Sequence, residues 1–589
     1  MGHNIRRLGG TVPGRRGTRG RRRRFSPEER RTRKIQRDYK KEIRSIFSAL
    51  SFDRIVAASE REFTFQNTTS DFDDIFVFEN LVVVAEYTTA QESGIPEHLR
   101  GKRNIFTRIA DSPRAFVEFL NSKFSEFRSI RNNDYPLSRM KVVIVYCALN
   151  AIRTATKRDF PNVKFLDYQV VKYFVAVTKA IRLSAQSEFF YFLGLAHGEI
   201  GESALSPRTS AQDVYGASVL PEEASHFPRG YKVISFYVDP EALLARSYVL
   251  RQDRWEERSN LYQRMITKKK IDAVRTYLLK NKRVFVNNII VTLPATTELR
   301  GPGNRQLDAS TITQTQAVSV RLPAEYNSIG LVDGQHRVYS YYEGGADEEK
   351  IRRLRKQQNL LATGIIYPET ITASERTKFE AQLFYEINSN QTNAKSDVKQ
   401  AIELLLNPFS PESIAKDIVN RLNDQGPLAG KFERYFFEKG KLKTTSVVSY
   451  GIRHVVKLGG NDSLFETWPH RLKKKLQKKK DTRLRNEYVN YCVQKLNEFM
   501  GAAKDALPRE RWITDTKADG LLTTTNLVGF IVCLRRVIAR SGTHSFAYYR
   551  RKLDGLENFG FHDYHSSQYV RMGEELFQTY FSRSRHSSN

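Results

Sequence analysis

This 589-residue chain is short of three things: paired cysteines, long apolar runs and acidic charge. Its three cysteines, Cys147, Cys492 and Cys533, lie far apart, which excludes a disulfide scaffold or a zinc ribbon and fits a reducing cytosol. No stretch approaches the roughly eighteen apolar residues a membrane span needs, so a cytoplasmic protein without membrane contact is expected. The arginine-rich start lacks a following apolar stretch and does not read as a secretory signal. Asp and Glu number 65 against 96 Lys and Arg, a net charge of +31. An excess of that size implies an acidic polymer as partner, nucleic acid being the commonest.

Part of that excess is local. Residues 1–44 hold 17 Lys/Arg against four acids, and the folded remainder keeps +18. The stretch "RRGTRGRRRRF", with Arg21, Arg22, Arg23 and Arg24, is Gly/Arg-rich and poor in apolar residues. A disordered basic tail over 1–25 is expected, contacting phosphates without reading bases. Ser26-Pro27-Glu28-Glu29 then predicts a helix start with a capping box, opening a basic amphipathic helix over 26–50.

The length suits about two to four domains. An α/β domain is expected over 51–210, with "DIFVFENLVVVAEYTT" (74–89) as a hairpin turning at Glu79-Asn80. In the same unit "KVVIVYCAL" is a buried strand and 170–196 a helix. Residues 198–230 read as a linker. Over 230–400 strands and helices alternate: strands at 231–238, 284–293 and 360–368, and helices at 258–282 and 373–390. That pattern predicts a second α/β domain. From 401 to 589 the pattern is mostly helical and carries the basic run "HRLKKKLQKKKDTRLR", in which Lys473, Lys474 and Lys475 are candidate DNA contacts.

The stretch "SIGLVDGQHRVYSYYEGG" (328–345) concentrates chemistry at one point. An apolar strand ends at Asp333, Gly334 permits a sharp turn, and Gln335, His336 and Arg337 open a helix. The first turn of a helix presents unpaired N–H groups to an anion. Arg337 can grip phosphate oxygens, and His336 can donate to phosphate or move a proton. Asp333 can bind Mg²⁺ or accept a proton. The competing reading is architectural: Asp333 as a cap, His336 packed, and Arg337 paired with a nearby acid.

Residues 230–400 resemble the DGQHR-domain proteins, a branch of the ParB/sulfiredoxin-like superfamily with DndB-type relatives in DNA-modification systems. The resemblance rests on Asp333-Gly334-Gln335-His336-Arg337, on Tyr262-Gln263-Arg264 before a strand, and on "FYEINSNQTNAKS" with Phe384, Ile387, Asn388 and Gln391. It implies a pocket for ATP or CTP with Mg²⁺ on a DNA-associated protein, with other proteins of a modification cluster as partners. Gln263 and Arg264 would close that pocket, and Asn388 and Gln391 would contact base or ribose or support the turn. Hydrolysis of the nucleotide, with Asp333 and His336 as its catalytic groups, is left open.

The 74–89 hairpin also resembles a PD-(D/E)xK nuclease core, with Asp74 and Glu86 as metal ligands, although Thr88 stands where a lysine is expected. Lys102 could substitute from a following helix. The expected architecture is therefore multidomain α/β: a restriction-endonuclease-like domain, a ParB/sulfiredoxin-like domain and a helical C-terminal region. Three functions stay open: a nucleotide-binding protein of a DNA-modification or defence system, a DNA-binding regulator, and a Mg²⁺-dependent endonuclease controlled by the DGQHR domain.

Overall fold

The computed structural model describes residues 26–205, 214–251, 265–307, 312–389, 396–435, 437–478 and 481–582. The fold is mixed α/β, with two main sheets and a helical C-terminal region. Helix α1 (Pro27–Ala49) starts as its sequence predicts. Ser26 Oγ accepts from the Glu29 N–H, Glu29 returns a carboxylate to the Ser26 N–H, and Pro27 occupies the first turn. Its buried residues Tyr39, Ile43, Ile46 and Phe47 recur at helical spacing and anchor only the C-terminal half.

The first sheet has the order β1-β4-β5-β6-β7, with β1 (Asp53–Arg54), β4 (Asp74–Phe78), β5 (Leu81–Thr88), β6 (Lys141–Ala148) and β7 (Val163–Leu166). Strands β2 (Phe63–Phe65) and β3 (Thr68–Ser70) form a separate ribbon. β4 and β5 are the expected hairpin. Glu79 adopts φ 48° at the turn, and the buried Asn80 side chain donates to Arg139 O and Glu199 O. β5, β6 and β7 run parallel, linked in part by helix α2 (Ile95–Asp111). Phe76, Val83 and Ala85 on one face pack with α1 and with α3 (Tyr168–Ile181). Val82, Val84 and Tyr146 on the other face pack with α2. The long helix expected over 170–196 breaks at Arg182 (φ 46°) and resumes as α4 (Gln186–Leu193).

The second sheet is mixed, in the order β10-β14-β11-β15-β9-β8-β13-β12. Its strands are β8 (Val214–Leu220), β9 (Lys232–Val238), β10 (Ser247–Tyr248), β11 (Ile289–Leu293), β12 (Glu298–Arg300), β13 (Gln316–Arg321), β14 (Ile329–Asp333) and β15 (Leu360–Ile366). The helices that matter here are α5 (Lys268–Asn281), α6 (Gln335–Tyr339) and α7 (Ala373–Ser389).

Two expectations fail. The stretch expected as a linker supplies β8, which pairs with both β9 and β13, because its alternating side chains fit a half-buried strand. The strand expected from 284 begins only at Ile289; Val286 is the most exposed large apolar residue described. One apolar core runs from α1, α3 and α4 into both sheets, so the two α/β units are packed together rather than strung on a linker. The C-terminal helices hold a separate core. Among the described residues no helix is long and apolar enough to cross a membrane.

Candidate functional site

β14 lies one strand in from the edge of the second sheet, between β10 and β11. Its side chains from Ile329 to Val332 are buried, so Asp333 is the first residue able to reach solvent. Gly334 then takes φ 94°, and a Cβ there would lie 3.1 Å from Ile289 Cγ1 and 3.1 Å from Arg337 Nη2. Both the dihedral and the close approach require glycine. The helix that follows, α6, is a single turn of five residues, and Gly334 caps it without a side-chain bond. The strand therefore ends at Asp333 and a helix opens at Gln335, as the sequence predicts.

Arg337 Nη2 lies 2.9 Å from Asp333 Oδ2 and also donates to Asn288 O. Its Nε is buried and has no partner among the described residues. The architectural reading is thus partly right: one arm of the guanidinium holds the turn, while another donor is unused. His336 is half-buried. Burial, then the charges of Lys270 and Arg251, push its imidazole down to about 4 against the opposing pull of Asp333. It is neutral at pH 7.

Arg251, which sequence reasoning missed, sits behind this turn. It is fully buried, and Nη1 donates to Tyr173 Oη at 2.8 Å and to Glu188 Oε2 at 2.9 Å. Its guanidinium lies 5.5 Å from the Tyr339 ring centre on α6, and its Nε and Nη2 have no partner among the described residues. Lys270 comes from the first turn of α5, which packs on α6. Three cations thus converge on one neutral imidazole, with unused N–H donors on two of them. Such an arrangement can bind an anion.

No family model, curated protein or solved structure matches this chain. The assignment of chemistry therefore rests on its own residues.

The first sheet holds a second cluster, different from the one expected. Asp74 faces Ala85 across the hairpin, so Asp74 and Glu86 point to opposite faces. Asp74 is buried among Arg44 (2.7 Å), Arg54 and Tyr87 Oη (2.9 Å), whereas Glu86 turns toward α2. A metal shared by Asp74 and Glu86 is ruled out by strand alternation. Continuing the register by one residue sets Asp73 opposite Glu86 instead. Asp73 accepts from the Tyr87 N–H at 2.7 Å and pairs with Lys40 at 2.6 Å.

Lys102 on α2 does reach the site: its Nζ lies 3.1 Å from Glu86 Oε1 and 2.9 Å from Asp71 Oδ1. His98, one turn earlier, places Nε2 3.6 Å from the same Glu86 oxygen, and its Nδ1 meets Tyr146 Oη at 2.9 Å. Burial raises Glu86 to about 8; Lys102 opposes the shift, and Asp73 and Asp71 add to it. Glu86 is 5% exposed, and its Oε2 has no partner among the described residues. Strand alternation alone could have selected Asp73 over Asp74, because only an odd offset from the paired residue restores the face.

The remaining candidates divide. Gln263, Arg264, Gln391 and Arg21–Arg24 lie outside the described residues. Asn388 donates to Phe384 O at 2.8 Å, one turn back in α7, so its amide closes the helix rather than facing the turn at Gly334. Lys473 donates to Glu466 O at 2.7 Å and to Phe465 O. Lys474 and Lys475 are more open to solvent. All three cysteines are buried thiols.

Proposed function

We propose that this protein is DNA-associated and binds the phosphates of a nucleotide, ATP or CTP, at the turn from Asp333 to Arg337. The observation that carries the reading is the fully buried Arg251, with two unused N–H donors behind a turn whose Arg337 also keeps an unused donor. A buried unpaired guanidinium N–H costs free energy that an oxyanion would offset. Gly334 gives the approach, Lys270 adds charge, and neutral His336 can donate one N–H without adding a proton. Asp333, already held by Arg337, is the carboxylate available to a Mg²⁺ that accompanies the nucleotide. The net charge of +31 supports DNA as the polymer partner.

The test is titration of labelled ATP and CTP into wild type, Arg337→Ala and Arg251→Met. Saturable binding weakened in both variants supports the reading. If wild type binds neither nucleotide, the turn is architectural, and a DNA-binding regulator is the better description.

A second reading, Mg²⁺-dependent cleavage of phosphodiesters, is favoured by the unpartnered Glu86 oxygen. Asp73 and Glu86 would supply hard carboxylate oxygens of the kind Mg²⁺ takes. The ion would provide charge stabilisation and a bound water of lowered pKa. Lys102 balances charge beside Glu86 in place of the missing lysine at Thr88, and His98 is neutral because burial, then Lys102, lowers its pKa. Metal-dependent nicking abolished in Asp73→Ala and Glu86→Ala supports this reading; nicking that persists in both defeats it.

A further inference from the structure

Helix α1 offers a surface that neither site uses. Every residue from Ser26 to Asp38 is exposed, and Tyr39 is the first to enter the core. The first two turns therefore project from the body of the protein, and Gln36 Nε2 meets Thr89 Oγ1 at 3.4 Å. Along the flank of α1, Arg33, Arg37, Lys40, Lys41 and Arg44 line a groove of about 590 Å³ whose only acid among the described residues is Glu60. Their spacing is that of one helical stripe, so the cations recur about every 6 Å over about 16 Å.

Lys40 bridges Glu60 and Asp73, and Arg44 holds Asp74. Among the described residues Lys41 has no carboxylate within ion-pair distance, nor do Arg31 and Lys34 on the same projecting helix, and Arg37 has only a loose 3.8 Å contact with Asp38. Charge density of this kind is not needed to hold α1, whose anchors are apolar.

We infer that this groove is a docking track for the sugar-phosphate backbone of duplex DNA, running along α1 toward the Asp73–Glu86 cluster. The direction follows from Lys40, whose ammonium both lines the groove and contacts Asp73 at 2.6 Å. One strand of a duplex advances about 3.4 Å per phosphate, so the stripe spans about five phosphates. Contacts limited to Arg and Lys on one helix flank fix position and carry no sequence preference. The inference rests on the DNA-associated reading and gives it a surface.

The experiment compares the full chain with the triple variant Arg33→Gln, Arg37→Gln, Lys41→Gln, none of which belongs to either cluster. Fluorescence anisotropy with a labelled duplex of about 30 base pairs is read across a salt series. The slope of log affinity against log salt should fall by about 0.9 for each cation that contacts a phosphate. Deleting residues 1–25 in both proteins removes the tail's contribution and should leave the difference between them intact. An unchanged slope, or no duplex binding by wild type, overturns the inference. So does a variant that keeps its duplex affinity but loses binding to vesicles of anionic phospholipid. ATP titration of the same proteins separates the two claims: a groove-dependent slope without nucleotide binding leaves the track standing and removes the nucleotide reading.

Discussion

Replacing Glu86 by Gln should make the protein more stable at alkaline pH, and the difference should grow with pH in a defined window. The carboxyl is 5% exposed, and burial raises it from 4.5 to about 8 despite Lys102 at 3.1 Å. A folded pKa above the unfolded one means the native state holds the extra proton between those values. Stability is therefore full below about 4.5 and declines as pH rises through the window, levelling off above about 8. At about 1.4 kcal/mol per unit, the loss across the window is about 4–5 kcal/mol. The amide of the Glu86→Gln variant is neutral throughout and has no such slope, so the two proteins should match near pH 4.5 and diverge steadily to about pH 8. Calorimetric melting of both at fixed ionic strength, from about pH 4.5 to about pH 9, measures this. A difference that does not change with pH would refute the buried-carboxyl reasoning. Mg²⁺ that binds at Glu86 must displace this proton, so its affinity should rise with pH through the same window.

Arg337→Ala should weaken ATP or CTP binding about ten- to hundredfold, as expected for a lost charge-assisted bond, with Arg337→Lys recovering only part; isothermal titration reads both. Gly334→Ala should cost at least about 1–2 kcal/mol, because alanine resists a φ of 94° and its Cβ would press on Ile289, which a denaturation midpoint will show. Glu380→Ala should cost several kcal/mol by the same measurement, on the order of 1–3 for each buried group left unpaired. It strips the shared acceptor from the hydroxyls of Tyr248, Thr292 and Tyr367 beneath β14.

Local signals in the sequence located about half of the strands and the sharp turn at Gly334. The capping box at Ser26, the Glu79-Asn80 hairpin and the apolar run ending at Asp333 are each decided by neighbours a few residues away. What escaped depends on pairing between distant segments. Strand β8 exists because β9 and β13 flank it, and the face of Asp74 is set by its register with Ala85. Arg251 could not be singled out because its meaning comes from Tyr173 and Glu188, 78 and 63 residues away.

Arg251 also joins the two α/β units physically. Its partners Tyr173 and Glu188 belong to α3 and α4, which cover the first sheet, while its guanidinium lies against Tyr339 on α6 beside the turn at Gly334. Glu188 is itself buried, so the pair cannot be broken at one end without stranding a charge at the other. An oxyanion that engages the unused Nε and Nη2 would share the guanidinium with Glu188. Arg251→Met should therefore cost about 3–5 kcal/mol by leaving Glu188 unpaired, whereas Arg251→Met combined with Glu188→Gln should recover much of it. If the double variant melts no higher than the single one, the link between the units lies in apolar packing alone.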